Sequence, residues 1–259
     1  MAEFTSYAPG TPCWVDLASR DVEAAAGFYA GLFGWEIQEL GPDAGGYRMA
    51  SKNGKLAAGL GPVMNEGQPA AWSTYICVAD ADAAVASASQ AGAQVAMQPM
   101  DVFEAGRMAV LTDPTGAFVS LWQPRTHIGA GLANEPGAFS WNELDTRDTA
   151  AAEAFYSAVF GWTPHKLDMG GMAYTEWQLD GRPIGGMTAM PPQVPPAVPS
   201  FWLVYFAVED CDAAVDTVKA GGGSVAMGPM DLPVGRLAVV ADAEGAPFAV
   251  IKLAAGPAS

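Results

Sequence analysis

The segment Trp14 to Trp35, WVDLASRDVEAAAGFYAGLFGW, recurs at Trp141 to Trp162 as WNELDTRDTAAAEAFYSAVFGW. The shift is 127 residues, and 11 of the 22 positions are identical without a gap. A chain that writes one sentence twice must fold into two similar halves, so the repeat constrains architecture before any single residue does.

Within each copy the physics is local. Residues 13–18 alternate as a strand. Asp21 and Asp148 suit helix N-caps, because a carboxylate accepts from the orphan N–H groups of a first turn. Ala25, Phe28, Tyr29 and Leu32 then fall at helical spacing on one face, answered by Phe155, Tyr156, Val159 and Phe160. Gly34 and Gly161 fit the left-handed position beyond a helix end. Short strands follow around Trp35–Ile37, Tyr47–Ala50 and Lys55–Leu60, with Gly45-Gly46 and Asn53-Gly54 as hairpin turns.

The pattern restarts at Trp72–Val78, with Asp80 or Asp82 as the next cap and three more strands around Gln94–Met97, Arg107–Thr112 and Ala117–Trp122. Units begin near residues 14, 73, 141 and 203. The predicted fold class is α+β: four βαβββ units paired into two similar curved-sheet halves, with helices over each outer surface. The expected divisions are a first paired domain at 1–124, a linker at 125–138 and a second paired domain at 139–259.

Composition narrows the partners. A formal charge of −16 opposes binding to nucleic-acid phosphates and to anionic membranes. No apolar run approaches the roughly 18 residues of a membrane span. Cys13, Cys77 and Cys211 form no CxxC or zinc spacing, so buried free thiols in a reduced cytoplasm are expected.

Four βαβββ units, the D-x-x-x-A-x-x-F-Y-x-x-x-F-G-W pattern and the opening G-T-P-x-W-V-D-L from Gly10 to Leu17 resemble the vicinal oxygen chelate superfamily. That group contains glyoxalases, bleomycin- and fosfomycin-resistance proteins and extradiol dioxygenases. W-N-E-L at Trp141, R-x-H-I-G-A at Arg125 and G-R-(M/L)-A-V from Gly106 and Gly235 are similar to its tandem actinobacterial branch, often labelled glyoxalase-like or hydroxylase, which includes a mycobacterial antigen.

The resemblance implies a small-molecule cavity in each half and, for most members, a divalent metal held by His and Glu. A family His stands seven residues before a unit's capping Asp; here Trp14, Ser73, Trp141 and Leu203 hold those places. The late Glu is replaced by Ser120 and Ala249, and the remaining ligand falls near Gly59 and Gly186. None is a good donor to a divalent ion. His127, in the linker, and His165, after a helix end, lie off these positions, so no metal and no cofactor are expected.

By strand alternation, Trp14, Asp16, Ser73, Tyr75, Ser120 and Trp122 line the first cavity, and Trp141, Glu143, Leu203 and Tyr205 the second. Trp14 and Trp141 either face a ligand or fill its space. Asp16 and Glu143 are the candidate catalytic residues, as bases or hydrogen-bond anchors, unless each is paired with Arg20, Arg147 or a Tyr hydroxyl. Tyr47 and Tyr174 are candidates for the same cavities. Asp101/Arg107 and Asp231/Arg236 read as ion pairs around a loop, Met97, Met100, Met227 and Met230 as core filling, and Cys77 as an inert thiol.

The expected function is binding or sequestering an aromatic or apolar metabolite or antibiotic. A glyoxalase-like lyase or hydroxylase, or an interaction protein with vestigial cavities, are the alternatives. Four units in one chain fit a monomer, or a homodimer of such chains.

Overall fold

The computed structural model describes residues 4–169 and 173–254. Each unit runs strand, helix, three strands. The first comprises β1 (Pro12–Ser19), α1 (Val22–Phe33), β2 (Glu36–Glu39), β3 (Arg48–Lys52) and β4 (Lys55–Pro62). The second comprises β5 (Ala71–Cys77), α2 (Ala81–Gln90), β6 (Gln94–Val102), β7 (Gly106–Thr112) and β8 (Phe118–Pro124). The third comprises β9 (Phe139–Thr146), α3 (Thr149–Phe160), β10 (Thr163–Asp168), β11 (Ala173–Leu179) and β12 (Arg182–Ala189). The fourth comprises β13 (Phe201–Ala207), α4 (Cys211–Ala220), β14 (Ser224–Leu232), β15 (Gly235–Ala241) and β16 (Pro247–Leu253).

The caps form as the sequence predicts. The Asp21 carboxylate accepts from the Ala24 N–H and that of Asp148 from Ala151, while Gly34 and Gly161 end their helices at φ values of 70° and 72°. Asp80, not Asp82, caps α2. Asp82 is left to pair with Arg107.

Two eight-stranded sheets result, in the orders β2-β3-β4-β1-β5-β8-β7-β6 and β10-β11-β12-β9-β13-β16-β15-β14. In each, two units join through one antiparallel seam, β1 with β5 and β9 with β13. Strand β6 continues through Val102, so Asp101 and Arg107 face each other across a strand pair rather than a loop. Register shifts near Met97 and Met227 bend these edge strands. Met100 and Met227 are exposed and do not fill a core, because no second layer packs over them on these edge strands.

The helix-bearing backs of the two sheets face each other. One core joins the first unit (Val15, Leu17, Phe33, Leu60) to the fourth (Val204, Phe206, Val240, Phe248). Another joins the second (Ile76, Leu111, Val119, Leu121) to the third (Leu144, Phe155, Tyr156, Trp162). Each is stitched by a buried polar bridge. The Tyr29 hydroxyl donates to Asp242 at 2.9 Å and accepts from the Trp72 indole at 3.0 Å. Tyr156 does the same with Asp113 and Trp202, at 2.8 and 2.9 Å. The carboxylates involved also hold their own turns, as Asp113 does for the N–H groups of Thr115 and Ala117. With both helix-covered faces committed to this contact, the opposite, concave face of each sheet lies outside it.

Candidate functional site

The β1–β4 and β1–β5 registers place Gly59 and Ser73 beside Asp16, and the β5–β8 register places Ser120 beside Tyr75. The strands thus bring Trp14, Asp16, Ser73, Tyr75, Ser120 and Trp122 to one face, as alternation predicts. The Asp16 carboxylate accepts from the hydroxyls of Tyr75 at 2.9 Å and Tyr47 at 3.1 Å. The Tyr47 hydroxyl in turn accepts from the Trp14 indole N–H at 3.2 Å. Of the partners considered for Asp16, the tyrosine hydroxyls are the ones used; Arg20 instead reaches Glu244 of the fourth unit. Burial pushes the Asp16 carboxyl up to about 6, an effect that outweighs the stabilising hydrogen bonds from Tyr75, Tyr47 and Ser73.

The second face repeats the plan. Glu143 accepts from the Tyr205 hydroxyl at 2.8 Å, and the Trp141 indole donates to Tyr174 at 2.8 Å. Burial raises Glu143 too, against hydrogen bonds from Tyr174 and Tyr205. Arg147 does not pair with it, donating instead to the Val194, Pro195 and Val198 carbonyls of the Pro-rich connection. Leu203 sits beside Glu143 across the seam and is buried.

Both tyrosines lie over glycines. A Cβ on Gly59 would overlap the Tyr47 hydroxyl, and one on Gly186 would overlap that of Tyr174 and approach the Trp141 indole nitrogen at 2.8 Å. These are the strand positions where the resemblance implies a metal ligand. Tyrosine fills the space, and the neighbours Trp14, Ser73, Ser120 and Ala249 bring no imidazole, thiolate or carboxylate. The Asp16 and Glu143 carboxylates beside the two glycines are taken up by tyrosine hydroxyls. This donor set does not fit the divalent ion of the superfamily's metalloenzymes. Among the described residues no group of three or more His, Cys, Asp and Glu side chains is placed to hold a metal.

Sequence reasoning missed three features. Asp145, two residues beyond Glu143 and so on the same face, is pushed up to about 8 by burial and then by the Glu143 charge. Simple alternation carried one step further would have found it. In the same sheet His165 faces Glu176, which faces Gly186, which faces Glu143, a polar row crossing four strands. Second, His127 leaves the linker and packs edge-on against Trp14, with ring centroids 4.6 Å apart, and near Trp122 at 5.5 Å. No local pattern signals that. Third, Cys77 is buried in contact with Cys13, whose thiol lowers the Cys77 pKa.

The two Arg of the G-R motifs are engaged. Arg107 binds both oxygens of Asp82 at 2.7 and 3.0 Å and reaches Asp101 at 3.0 Å. Arg236 repeats this with Asp212 and Asp231. Each fork ties a helix start to a sheet edge, which leaves no fork free for anion capture.

The model of the Glyoxalase/Bleomycin resistance protein/Dioxygenase superfamily matches residues 13–121 and again 139–250. The chain belongs to that superfamily. "Putative glyoxylase CFP32" of Mycobacterium tuberculosis is 44% identical over 97% of this chain and 98% of its own length. "Anthracycline biosynthesis protein DnrV" of Streptomyces peucetius is 40% identical, with 97% and 96% covered. Among solved structures, a Mn(II)-bound glyoxalase from Novosphingobium aromaticivorans superposes with a TM-score of 0.65 at 17% identity, over 94% of this chain and 82% of that one. The 2,3-dioxygenase LapB from Pseudomonas sp. KL28 gives 0.65 at 15%, over 96% and 93%. At such identities these structures establish the shared fold alone.

Proposed function

We propose that this superfamily member binds an aromatic or apolar small molecule, a metabolite or antibiotic, on its concave faces without a resident metal. One observation carries the reading. At equivalent places in both sheets a desolvated carboxylate is hydrogen-bonded by tyrosine hydroxyls beside an indole, Asp16 with Tyr47, Tyr75 and Trp14, and Glu143 with Tyr205, Tyr174 and Trp141. Aromatic walls with a few convergent polar groups are the usual makeup of small-molecule sites. Trp14, Asp16, Ser73, Tyr75, Ser120 and Trp122 are the ligand-facing set in the first sheet, and Trp141, Glu143 and Tyr205 in the second. The DnrV relative makes anthracycline-like multi-ring compounds the first class to try.

The test is a fluorescence titration of the eight tryptophans with polycyclic quinones, monocyclic phenols and antibiotics. Saturable quenching at micromolar concentration that weakens in Asp16→Asn or Glu143→Gln is the expected result. Flat titrations across all three classes would sink the reading and favour an interaction protein whose cavities are filled by Trp14 and Trp141.

A second reading, a glyoxalase-like lyase or a hydroxylase, is favoured by the Asp16 carboxyl at about 6. Such a group is largely ionised at neutral pH yet basic enough to take a proton from a substrate carbon or hydroxyl. Turnover that falls on acidification with an apparent pKa near 6, and vanishes in Asp16→Asn, would select it. The same proposal places the chain in a reducing cytoplasm as a monomer or homodimer, with Cys13, Cys77 and Cys211 as buried free thiols and a −16 charge that repels nucleic acid and anionic membrane.

A further inference from the structure

The second concave face is divided along the β9–β13 seam. On the fourth-unit side, Leu203, Tyr205, Leu237, Ala249 and Ile251 form one buried cluster, with Met230 and Val239 packed against it. Strand register puts these side chains on a single face, Tyr205 beside Ala249, Ala249 beside Val239 and Ile251 beside Leu237. On the third-unit side, Glu143 is flanked by Gly186 and Leu203, and Asp145 by Thr188 and Phe201. An apolar half therefore meets a polar half on one surface.

The two carboxylates of the polar half differ in how they are held. Glu143 is buried and accepts from the Tyr205 hydroxyl. Asp145 is only half-buried, and among the described residues its carboxylate makes no hydrogen bond or ion pair. The cations of neighbouring strands are engaged elsewhere. Arg147 donates to the carbonyls of the Pro-rich connection, and Lys166 pairs with Glu153 of α3. What surrounds Asp145 is aromatic. Phe201 is its cross-strand neighbour, and Tyr174 lies beyond Thr188 in the same row. Trp141 stands four residues back on the same face, and all three rings are partly open. A carboxylate drawn out of water calls for a counter-charge, and ring faces attract cations.

We infer that the second concave face selects an apolar ring compound carrying an ammonium group, with Asp145 pairing the cation and the rings seated on the Leu237, Val239 and Ala249 wall. The inference rests on the reading of the concave faces as small-molecule sites, and it names the class that the second one takes. The first face lacks the feature, because Ala18 and Ala71 stand where the second has Asp145 and Phe201. At neutral pH much of the Asp145 carboxyl is protonated, its pKa pushed up to about 8 by burial and then by the Glu143 charge. An ammonium group favours the ionised form, so its arrival should expel that proton. The other titratable groups on this face are Glu143, Tyr174 and Tyr205, with Glu176 and His165 in the next row.

The probes are tryptamine and tryptophol, one ring system ending in an ammonium group or a hydroxyl. Calorimetry of the full chain at pH 7 should find tryptamine bound about tenfold or more tightly than tryptophol. Titrations in two buffers of different ionisation enthalpy should show about half a proton or more released per amine bound. Asp145→Asn should cut the preference to about threefold or less and remove most of the proton release. Asp145→Glu, which keeps the charge, should retain part of both, with thermal melting confirming that each variant is folded. Equal affinity for both probes in the wild type, or an unchanged preference in folded Asp145→Asn, overturns the inference. If tryptophol and other neutral aromatics bind in a Glu143-dependent manner with no preference for the amine, this inference falls and the general reading stands. If nothing aromatic binds, both fall.

Discussion

The two concave faces share one frame and differ in what is hung on it. Trp14, Asp16, Tyr47 and Tyr75 of the first correspond to Trp141, Glu143, Tyr174 and Tyr205 of the second. Around that common set the first face carries the hydroxyls of Ser73 and Ser120, the ring of Trp122 and the covering His127. The second has Leu203, Ala249 and Ile251 at the corresponding strand positions, and it gains carboxylates: Asp145 where the first has Ala18, and Glu176 where the first has Met49. Trp14 is buried while Trp141 remains partly open. Duplication preserved the backs, where Tyr29 and Tyr156 make equivalent bridges, because each back must fit the other sheet. The fronts have no such mutual constraint, and their polar groups diverged. The first became aromatic with one carboxylate; the second became acidic.

The largest test of that contrast is Asp145→Asn. A carboxyl at about 8 in the native protein and near 4 when unfolded binds its proton more tightly in the fold. Its favourable contribution is complete below about pH 4 and is lost as pH rises through about 8. Wild-type stability should therefore fall across that window. Asn at 145 should remove about 2–4 kcal/mol of the fall, after allowance for the partial exposure of this side chain. Urea melts at pH 4.5, 6.5 and 8.5 check it. Parallel curves for wild type and variant would show that the second face is no more burdened with charge than the first.

Smaller and equal effects are expected from the backs. Tyr29→Phe and Tyr156→Phe each strand an indole N–H and one contact of a buried carboxylate, a loss of about 1–3 kcal/mol. The two costs should agree within about 0.5 kcal/mol if the backs are equivalent. A large inequality in urea melts would break the claim that divergence is confined to the fronts. Gly59→Ala and Gly186→Ala test the fronts sterically, since each methyl must displace a tyrosine. Overpacking should cost about 1–2 kcal/mol. The Gly186 variant should suffer more, because the Trp141 indole is also in the way there; equal melting temperatures would contradict that.

How much of this could be read from the chain follows the range of the forces. Caps, glycine stops and strand alternation act over a few residues, so Asp21, Gly34 and the facing of Asp16 and Tyr75 were legible. The shared face of Trp14, Asp16, Ser73, Tyr75, Ser120 and Trp122 was legible for the same reason, since parity and register are local once the seam is guessed. The contact between sheet backs was not, because Tyr29 meets Asp242 across 213 residues and nothing in either segment announces the other. His127 was hidden for a different reason. A linker has no periodicity, and its path is set by carbonyls of Ala105, Cys13 and Leu56 that only the folded sheet presents. The edge methionines misled because an apolar residue on a strand is core only when another layer covers it.

The smallest effect on stability should accompany the largest on binding. Asp16→Asn and Glu143→Gln keep the shape of each carboxylate and remove a desolvated charge. Both carboxyls are raised in the fold, so native protein binds their protons more tightly and loses stability as pH rises past the ordinary carboxyl range. Neutralising them should therefore leave melting temperatures unchanged or slightly higher at pH 7. The lost charge-assisted bonds from the tyrosines offset part of the gain, for a net change within about 1 kcal/mol. Ligand affinity has no such offset, because an amide presents one acceptor and one donor group where the carboxylate presents two acceptors. Asp16→Asn should weaken binding at the first face alone and Glu143→Gln at the second alone, so a protein that binds two equivalents should drop to one in each variant. Melting temperatures that collapse in both, with affinity intact in the refolded fraction, would assign these carboxylates to the architecture and remove the distinction between front and back.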